Sequence, residues 1–266
     1  MKTGLDDKVV VITGAASGIG AASARAFAAE NARLALLDRD KSGLEELADE
    51  LSEQTTVHFA ALDLSTESGV VGGIEQVLAP YDGGVDVLFN NVGAGSLGTF
   101  DSLTDADWVN TLQLNFLSQV RASTAVLPAM RAAGRGVIVN NASDAGRQPI
   151  SAGPDYAASK AAILSLTSSL ALNEGPAIRV NAVAPGPILS PMWTMQGGLA
   201  DTFAAVHGVH RDESVEVEMK VRGLPLARIG TAEEVANVVV FLASDLASYV
   251  TGSVYGVDGG SFRAIT

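Results

Sequence analysis

Short apolar runs rich in β-branched residues alternate along this chain with longer Ala-rich stretches of helical spacing. The runs at 9–13, 33–38, 56–63, 85–90, 136–142, 178–185 and 253–258 predict strands. The stretches between them predict helices at 18–30, 41–53, 67–79, 105–133, 156–174 and 232–244. Val9-Val10-Val11-Ile12 is apolar at every position, which suits a strand buried on both faces, as in a parallel sheet covered by helices. Strand and helix alternate almost throughout, so the expected class is α/β, a doubly wound, mostly parallel sheet of seven strands with helices on both faces. No internal repeat or low-complexity linker divides residues 1–266, which predicts one domain. The one long interruption, 188–223, contains Pro191, Gly197-Gly198 and a mixed charge run. A segment of that length predicts a loop or small helical flap with a functional role.

Composition narrows the partners. At 47% hydrophobic residues over 266 positions, the chain can build a sizeable core. The net charge of −13 opposes nucleic acid and anionic membranes. It does not oppose a single dinucleotide whose phosphates are held by backbone N–H groups. The absence of cysteine removes disulfides, thiolate catalysis and Cys-ligated zinc. The polar start from Met1 to Lys8 resembles no signal peptide, and no stretch is apolar enough to span a bilayer, so a soluble cytoplasmic protein is expected.

The first strand runs into Thr13-Gly14-Ala15-Ala16-Ser17-Gly18-Ile19-Gly20 and then a helix. Glycines there let the backbone turn sharply and approach a pyrophosphate, which the exposed N–H groups and helix dipole hold. The spacing is G-x-x-x-G-x-G rather than the general dinucleotide fingerprint, and its place between a buried strand and a helix gives it weight in a Rossmann-type domain. Asp38 closes the second strand, eighteen residues beyond Gly20. A carboxylate there accepts from both adenosine-ribose hydroxyls and repels a 2′-phosphate, favouring NAD; the neighbouring Arg39 keeps NADP as the alternative. Tyr156 and Lys160 are spaced i, i+4 at the start of a predicted helix and share one face. An ammonium favours the phenolate of a nearby tyrosine, the form that acts as a base. Ser143 lies directly past Val137-Ile138-Val139, at the carboxyl edge where open α/β sheets bind ligands, and can hold a substrate oxygen beside the phenol.

These residues and their order resemble the short-chain dehydrogenase/reductase family, classical subclass, from Lys8 to Gly260. The resemblance rests on the Thr13–Gly20 turn, Asp63-Leu64, Asn90-Asn91-Val92-Gly93, Asn115, Ser143, Tyr156-x-x-x-Lys160, Pro185-Gly186 and Val257-Asp258-Gly259-Gly260. It implies that Tyr156 is the general acid/base, that Lys160 tunes Tyr156 and holds the nicotinamide ribose, and that Ser143 orients the substrate oxygen. It implies a proton-relay water on Asn115 and an adenine pocket closed by Asp63. Asn90 would brace the central strands beside the cofactor, and Pro185, Gly186 and Ile188 would line the nicotinamide. Ser190, with Thr194 behind it, stands for the hydroxyl that meets the carboxamide. Two departures stand out: Val92 replaces the usual alanine close to the cofactor and should be tolerated, and Asp144 follows Ser143 where a small residue is common, placing a carboxylate at the border of the substrate site; neither removes a catalytic group.

In the flap, Met192, Trp193, Met195, Leu199 and Phe203 suggest either a greasy lid over an apolar substrate or plain packing. His207 and His210, with Asp212 and Glu213, have metal-ligand chemistry, but the expected reaction needs no metal, and none is expected. Trp108 reads as packing. Small residues such as Ala157, Ala158, Ala161, Ala162 and Ser169 allow close helix approach, and the resemblance implies a homotetramer in which residues 253–266 pack between subunits. Three functions follow. The first is an NAD-linked oxidoreductase acting on a small-molecule secondary alcohol or ketone. The second is an NADPH-linked 3-oxoacyl-thioester reductase, which Asp38 opposes. The third is a nucleotide sensor, which would not need Asn115, Ser143, Tyr156 and Lys160 together.

Overall fold

In the computed structural model seven strands form one parallel sheet in the order β3-β2-β1-β4-β5-β6-β7. The structure describes residues 2–95, 98–149 and 153–263. Met1 and residues 264–266 of the expected C-terminal segment lie outside these, and so does the Met192 side chain. The strands are β1 (Val9–Thr13), β2 (Arg33–Asp38), β3 (Val57–Ala61), β4 (Val87–Asn90), β5 (Gly136–Asn141), β6 (Ile178–Pro185) and β7 (Val254–Val257). All five residues of β1, at the centre of the sheet, are buried, as its unbroken apolar run requires. Alternation across the pleat sorts the core into two layers. Val10, Ile12, Leu34, Leu36, Phe89 and Val139 pack on one side against α1 (Gly18–Ala29), α2 (Lys41–Leu51) and α10 (Ala232–Ala243). Val9, Val11, Leu37, Leu88 and Ile138 pack on the other against α3 (Glu67–Leu78) and α5 (Ser118–Ala133).

The expected long helix at 105–133 is divided. It consists of α4 (Asp105–Leu112), a π-helical segment at Gln113–Leu117, and α5. The apolar periodicity continues through the junction, so the inserted turn leaves little trace in the pattern. Asn115 sits in that segment, and π insertions concentrate at functional sites because they re-aim side chains. The helix α6 (Pro154–Glu174) starts two residues before the predicted boundary, with Pro154 in its first turn, where a missing N–H costs nothing. Residues 191–221 hold three further helices, α7 (Pro191–Thr194), α8 (Leu199–His207) and α9 (Arg211–Val221). No helix among the described residues is long and apolar enough to cross a membrane.

Strand β6, next to the edge strand β7, is tied to the end of α10 by the Arg179 side chain. The Arg179 guanidinium donates to the carbonyls of Leu242 (2.8 Å), Ser244 (3.0 Å), Val250 (3.3 Å) and Ala243 (3.4 Å), closing the C-terminal end of α10 and the approach to β7. Arg179→Ala leaves these partly buried carbonyls without their charged donor. Its expected cost is about 2 kcal/mol in urea unfolding, with cofactor affinity unchanged. A change below about 0.5 kcal/mol would show that solvent replaces the guanidinium.

Candidate active site

The turn after β1 is a cradle with one closed face and one open face. Gly14 has φ +67°, and a Cβ there would stand 2.8 Å from the Val92 Cα. A Cβ on Gly20 would come within 2.0 Å of the Gly14 carbonyl oxygen. Only glycine fits either position. Asn91 pins the same turn, its Nδ2 donating to the carbonyls of Thr13 (3.1 Å) and Gly14 (2.9 Å). A Cβ on Gly18 would meet nothing within 4 Å, so the turn is open on its outer side. Ser17, the N-cap of α1, makes no side-chain capping bond, whereas α2, α3, α4 and α10 are each capped by a side chain. Ser17, Gly18, Ile19 and Gly20 thus present an uncapped helix N-terminus to open space, which fits a pyrophosphate.

Asp38 stands beside this turn. Its Oδ2 accepts from the Ala16 N–H (3.0 Å) and its Oδ1 from the Asp40 N–H (3.0 Å), so the carboxylate is held at the rim by two backbone donors. Arg39 is exposed next to it. Its charge falls on two carboxyls, Asp40 and Asp63. Asp40 is held below its ordinary pKa chiefly by the Ser42 hydroxyl, and Asp63 chiefly by the Ser65 N–H, with Arg39 adding to both. Leu64 is buried behind Asp63.

The polar groups of the centre lie at the carboxyl ends of β4, β5 and β6. Lys160 is 3% exposed, and its Nζ donates to the Asn141 carbonyl (2.8 Å) and lies 5.6 Å from the centre of the Tyr156 ring. Burial pulls its pKa down to about 7. Tyr156 is half-buried. Burial pushes its phenol above the ordinary tyrosine value; a hydrogen bond with Ser143 opposes that shift and the Asp144 charge adds to it. Gly93 makes room for this group, because a Cβ there would stand 3.2 Å from the Asn115 Oδ1 and 3.3 Å from the Lys160 Nζ. Asn115 is fully buried. Its Oδ1 accepts from the Ala94 N–H, and its Nδ2 donates to the Ala94 carbonyl and the Ser159 hydroxyl. The carboxamide thus makes three hydrogen bonds to protein, two of them to Ala94, and fixes the Val92–Gly93–Ala94 loop.

Asn90 is fully buried and donates to Ser123 and to Asn140, its register partner on β5. It joins β4, α5 and β5 below the cradle. Gly186 packs against Asp258, whose Cα a Cβ would approach to 2.8 Å, with Pro185 and Ile188 buried on either side. Ser190 is half-buried at the head of the flap. Within the flap Trp193 is 5% exposed and stacks on Phe203 (5.7 Å), above the fully buried Met219, whereas Met195 is 58% exposed. Trp193 and Phe203 thus form the flap's own small core. His207 bonds Glu218 (2.6 Å), while His210 faces solvent beside Asp212. Trp108 sits edge-on to the exposed Phe100.

Several residues that shape the site were not singled out from the sequence as functional. Thr13 holds Asn91 and Val92, its Oγ1 accepting from both N–H groups (2.9 and 3.1 Å). Asn141 bonds Asn91 through its side chain (2.9 Å) and Lys160 through its carbonyl. The available signal was the pair Asn140-Asn141, polar on both faces at the end of a buried strand.

Residues 14–261 match the family described as enoyl-(acyl carrier protein) reductase. The chain is 38% identical to YvrD of Bacillus subtilis, an uncharacterised oxidoreductase, over 98% of each chain. It is 36% identical to the 3-oxoacyl-[acyl-carrier-protein] reductase FabG of Thermotoga maritima, over 96% of this chain and 98% of the relative. The crystal structure of L-sorbose reductase from Gluconobacter frateurii, complexed with NADPH and L-sorbose, superposes with a TM-score of 0.92 at 36% identity over 100% of both chains.

The chain belongs to the short-chain dehydrogenase/reductase family. Oxidoreductases of this family bind a nicotinamide cofactor and act on small molecules. In this short-chain dehydrogenase/reductase the buried Lys160 has a thermodynamic signature. An unfolded chain holds the lysine proton up to about pH 10.5, and the folded chain sheds it near pH 7. Between those values the unfolded state binds more protons, so stability rises with pH; below about pH 7 the full burial penalty applies. Lys160→Met removes the penalty. Its unfolding temperature at pH 6 is expected to exceed that of the wild type by several degrees, with the gain shrinking to nothing near pH 10. A variant less stable than wild type at pH 6 would refute the reading.

Proposed function

We propose that this protein is an NAD(H)-linked oxidoreductase that interconverts a secondary alcohol and the corresponding ketone, with Tyr156 as general acid/base. The observation that carries the reading is the convergence of Ser143, Tyr156 and buried Lys160 at one end of the sheet, beside the open-faced Gly14–Gly20 cradle. Bound NAD(H) supplies the hydride acceptor or donor for the carbon bearing the substrate oxygen. Tyr156 gives its phenolic proton to that oxygen in reduction and takes it back in oxidation. Ser143 holds the oxygen within reach of the phenol. Lys160, when protonated, stabilises the phenolate. Asn115 acts through the loop it fixes, keeping Gly93 and Ala94 clear of the ammonium.

The preference for NAD rests on Asp38. Two backbone donors fix its carboxylate at the rim of the cradle, where a 2′-phosphate would meet a negative charge that cannot swing away. Like-charge juxtaposition costs several kcal/mol. The second reading, an NADPH-linked 3-oxoacyl-thioester reductase, draws on the similarity to the Thermotoga FabG and on the exposure of Arg39.

Parallel fluorescence titrations with NADH and NADPH separate the two. NADH is expected to bind at least about tenfold tighter, and Asp38→Ser is expected to erase most of that difference. Equal or tighter NADPH binding by the wild type would transfer the argument to the thioester reductase. In a screen of secondary alcohols with NAD, Tyr156→Phe is expected to lose turnover by at least about a hundredfold while still binding NADH. Retained turnover in that variant would sink the acid/base assignment, and a wild type that binds NADH but turns over no alcohol or ketone would favour a sensor.

A further inference from the structure

Asp144 immediately follows Ser143, in a short 3-10 turn (Asp144–Gly146) seated on α6. Gly146 lies flush against the main chain of that helix, where a Cβ would come within 2.8 Å of the Lys160 carbonyl carbon. The turn, and Asp144 with it, is therefore held at a fixed distance from the catalytic helix. The Asp144 Oδ1 accepts from the Ser143 hydroxyl (3.1 Å) and its Oδ2 from the Ser261 hydroxyl (2.8 Å), while the Ala145 N–H donates to the Ser143 Oγ (3.2 Å). Burial raises the Asp144 pKa above the ordinary carboxylate value and the Asp258 charge adds to that, whereas the Ser261 and Ser143 hydroxyls favour the ionised form.

Ser261 belongs to a strap that crosses from the end of β7 to the end of the flap. Asp258 shapes the strap by accepting from the Gly260 (2.9 Å) and Phe262 (3.2 Å) N–H groups. Arg263 ties its far end to the carbonyls of Arg222 (3.3 Å) and Gly223 (2.6 Å).

We propose that Asp144 is a positioning residue of this active site: clamped by Ser261 on one oxygen, it orients the Ser143 hydroxyl on the other until a substrate oxygen takes that proton, and keeps a negative charge beside the Tyr156 phenol. The inference rests on the reading of Tyr156 as the acid/base. The charged groups around the phenol define the balance. Lys160 faces it from its own helix. Asp144 faces it from the turn after β5, with Asp258 behind. Asp155 turns away to the Thr111 hydroxyl on α4 (2.6 Å), and Arg147 turns to the Phe262 ring and the Val254 carbonyl. The loop Val92-Gly93-Ala94-Gly95 packed over the ring carries no titratable group. Burial holds the Tyr156 phenol in its proton-donating form near neutral pH, and the Asp144 charge adds to that bias. That form serves reduction: hydride goes to the carbonyl carbon, the phenolic proton to the oxygen, and Tyr156 is left as phenolate until solvent returns the proton. The site is thus biased towards ketone reduction at neutral pH, and oxidation should need alkaline conditions.

The test reads Tyr156 directly and needs no substrate. Tyrosinate absorbance is followed in stopped-flow pH jumps, and the step belonging to Tyr156 is isolated by subtracting the same trace from Tyr156→Phe. In Asp144→Asn and in Asp144→Ser the step is expected about 0.5–1 pH unit lower than in wild type, because a neighbouring negative charge has been removed. Ser261→Ala keeps the charge and should move the step by less. A step that stays in place in whichever Asp144 variants fold overturns the inference. Turnover keeps this separate from the functional reading: if Tyr156→Phe is inactive but the step is unmoved, only the role of Asp144 fails. If Tyr156→Phe stays active, the acid/base reading fails whatever the step does.

Discussion

A lysine buried at the carboxyl edge of the sheet constrains most of what surrounds it. Lys160 has no acidic partner within bonding distance among the described residues; its Nζ is held by a main-chain carbonyl, that of Asn141. An ammonium so placed is expensive, and the fall of its pKa to about 7 is the measure of that expense. The neighbouring structure limits the cost by precise placement rather than by countercharge. Gly93 withdraws its side chain from the Nζ, and Asn115 holds the Gly93–Ala94 loop. The π-helical segment allows the long helix to deliver Asn115 there without displacing α5 from the sheet. A site built for stability alone would place an apolar side chain at 160. Under the proposed function, the lysine marks a place where folding free energy is given up for chemistry.

On the central strands polarity enters at one end. Strands β1, β4 and β5 are apolar until their carboxyl termini, where Thr13, Asn90, Asn91, Asn140 and Asn141 follow one another. Parallel register makes this a connected layer: Asn90 opposes Asn140, Asn140 reaches Thr167 on α6, and Asn141 reaches Asn91. The layer links the cradle to α6 through hydrogen bonds of 2.9–3.1 Å. Under the proposed function, the relative placement of the cofactor cradle and Tyr156 would thereby be set from rigid strands.

This explains which parts of the molecule were legible in the sequence. Strands β1, β2 and β6 fall on the residues predicted, because their apolar runs end at a glycine or a polar residue that also ends the pairing. The seven-stranded parallel architecture and the family follow from the same alternation and from motifs in fixed order. The division of the 105–133 helix was not legible, since one inserted residue in a π turn does not interrupt amphipathic spacing. The flap showed only composition. Whether Trp193 covers a substrate or its own neighbours depends on how α8 and α9 pack, and the contacts with Phe203 and Met219 are long-range facts that no local pattern carries. The links from Ser261 to Asp144 and from Arg263 to the end of α9 join residues far apart in the chain. For the same reason a motif reading shows Asp144 as an oddity and not as part of a chain of bonds.

The distribution of acid along the helices bears on how so anionic a protein would receive an anionic dinucleotide. The first turns of α3, α4, α6, α9 and α10 each carry an acidic residue, which satisfies the positive end of the helix from within the protein. The first turn of α1 carries none and has no side-chain cap. At a net charge of −13, leaving this one N-terminus unanswered beside an open glycine turn preserves local attraction against an unfavourable global field. The attraction is short-ranged, because the dipole falls off within a turn, so it serves a pyrophosphate seated on the helix and does not extend to a phosphate on the adenosine ribose. At that second position the nearest fixed group is the Asp38 carboxylate. Under the proposed NAD(H) reading the two features would act together: the uncapped helix admits charge at the centre of the cofactor, and the acid at the rim limits how much more it can bring.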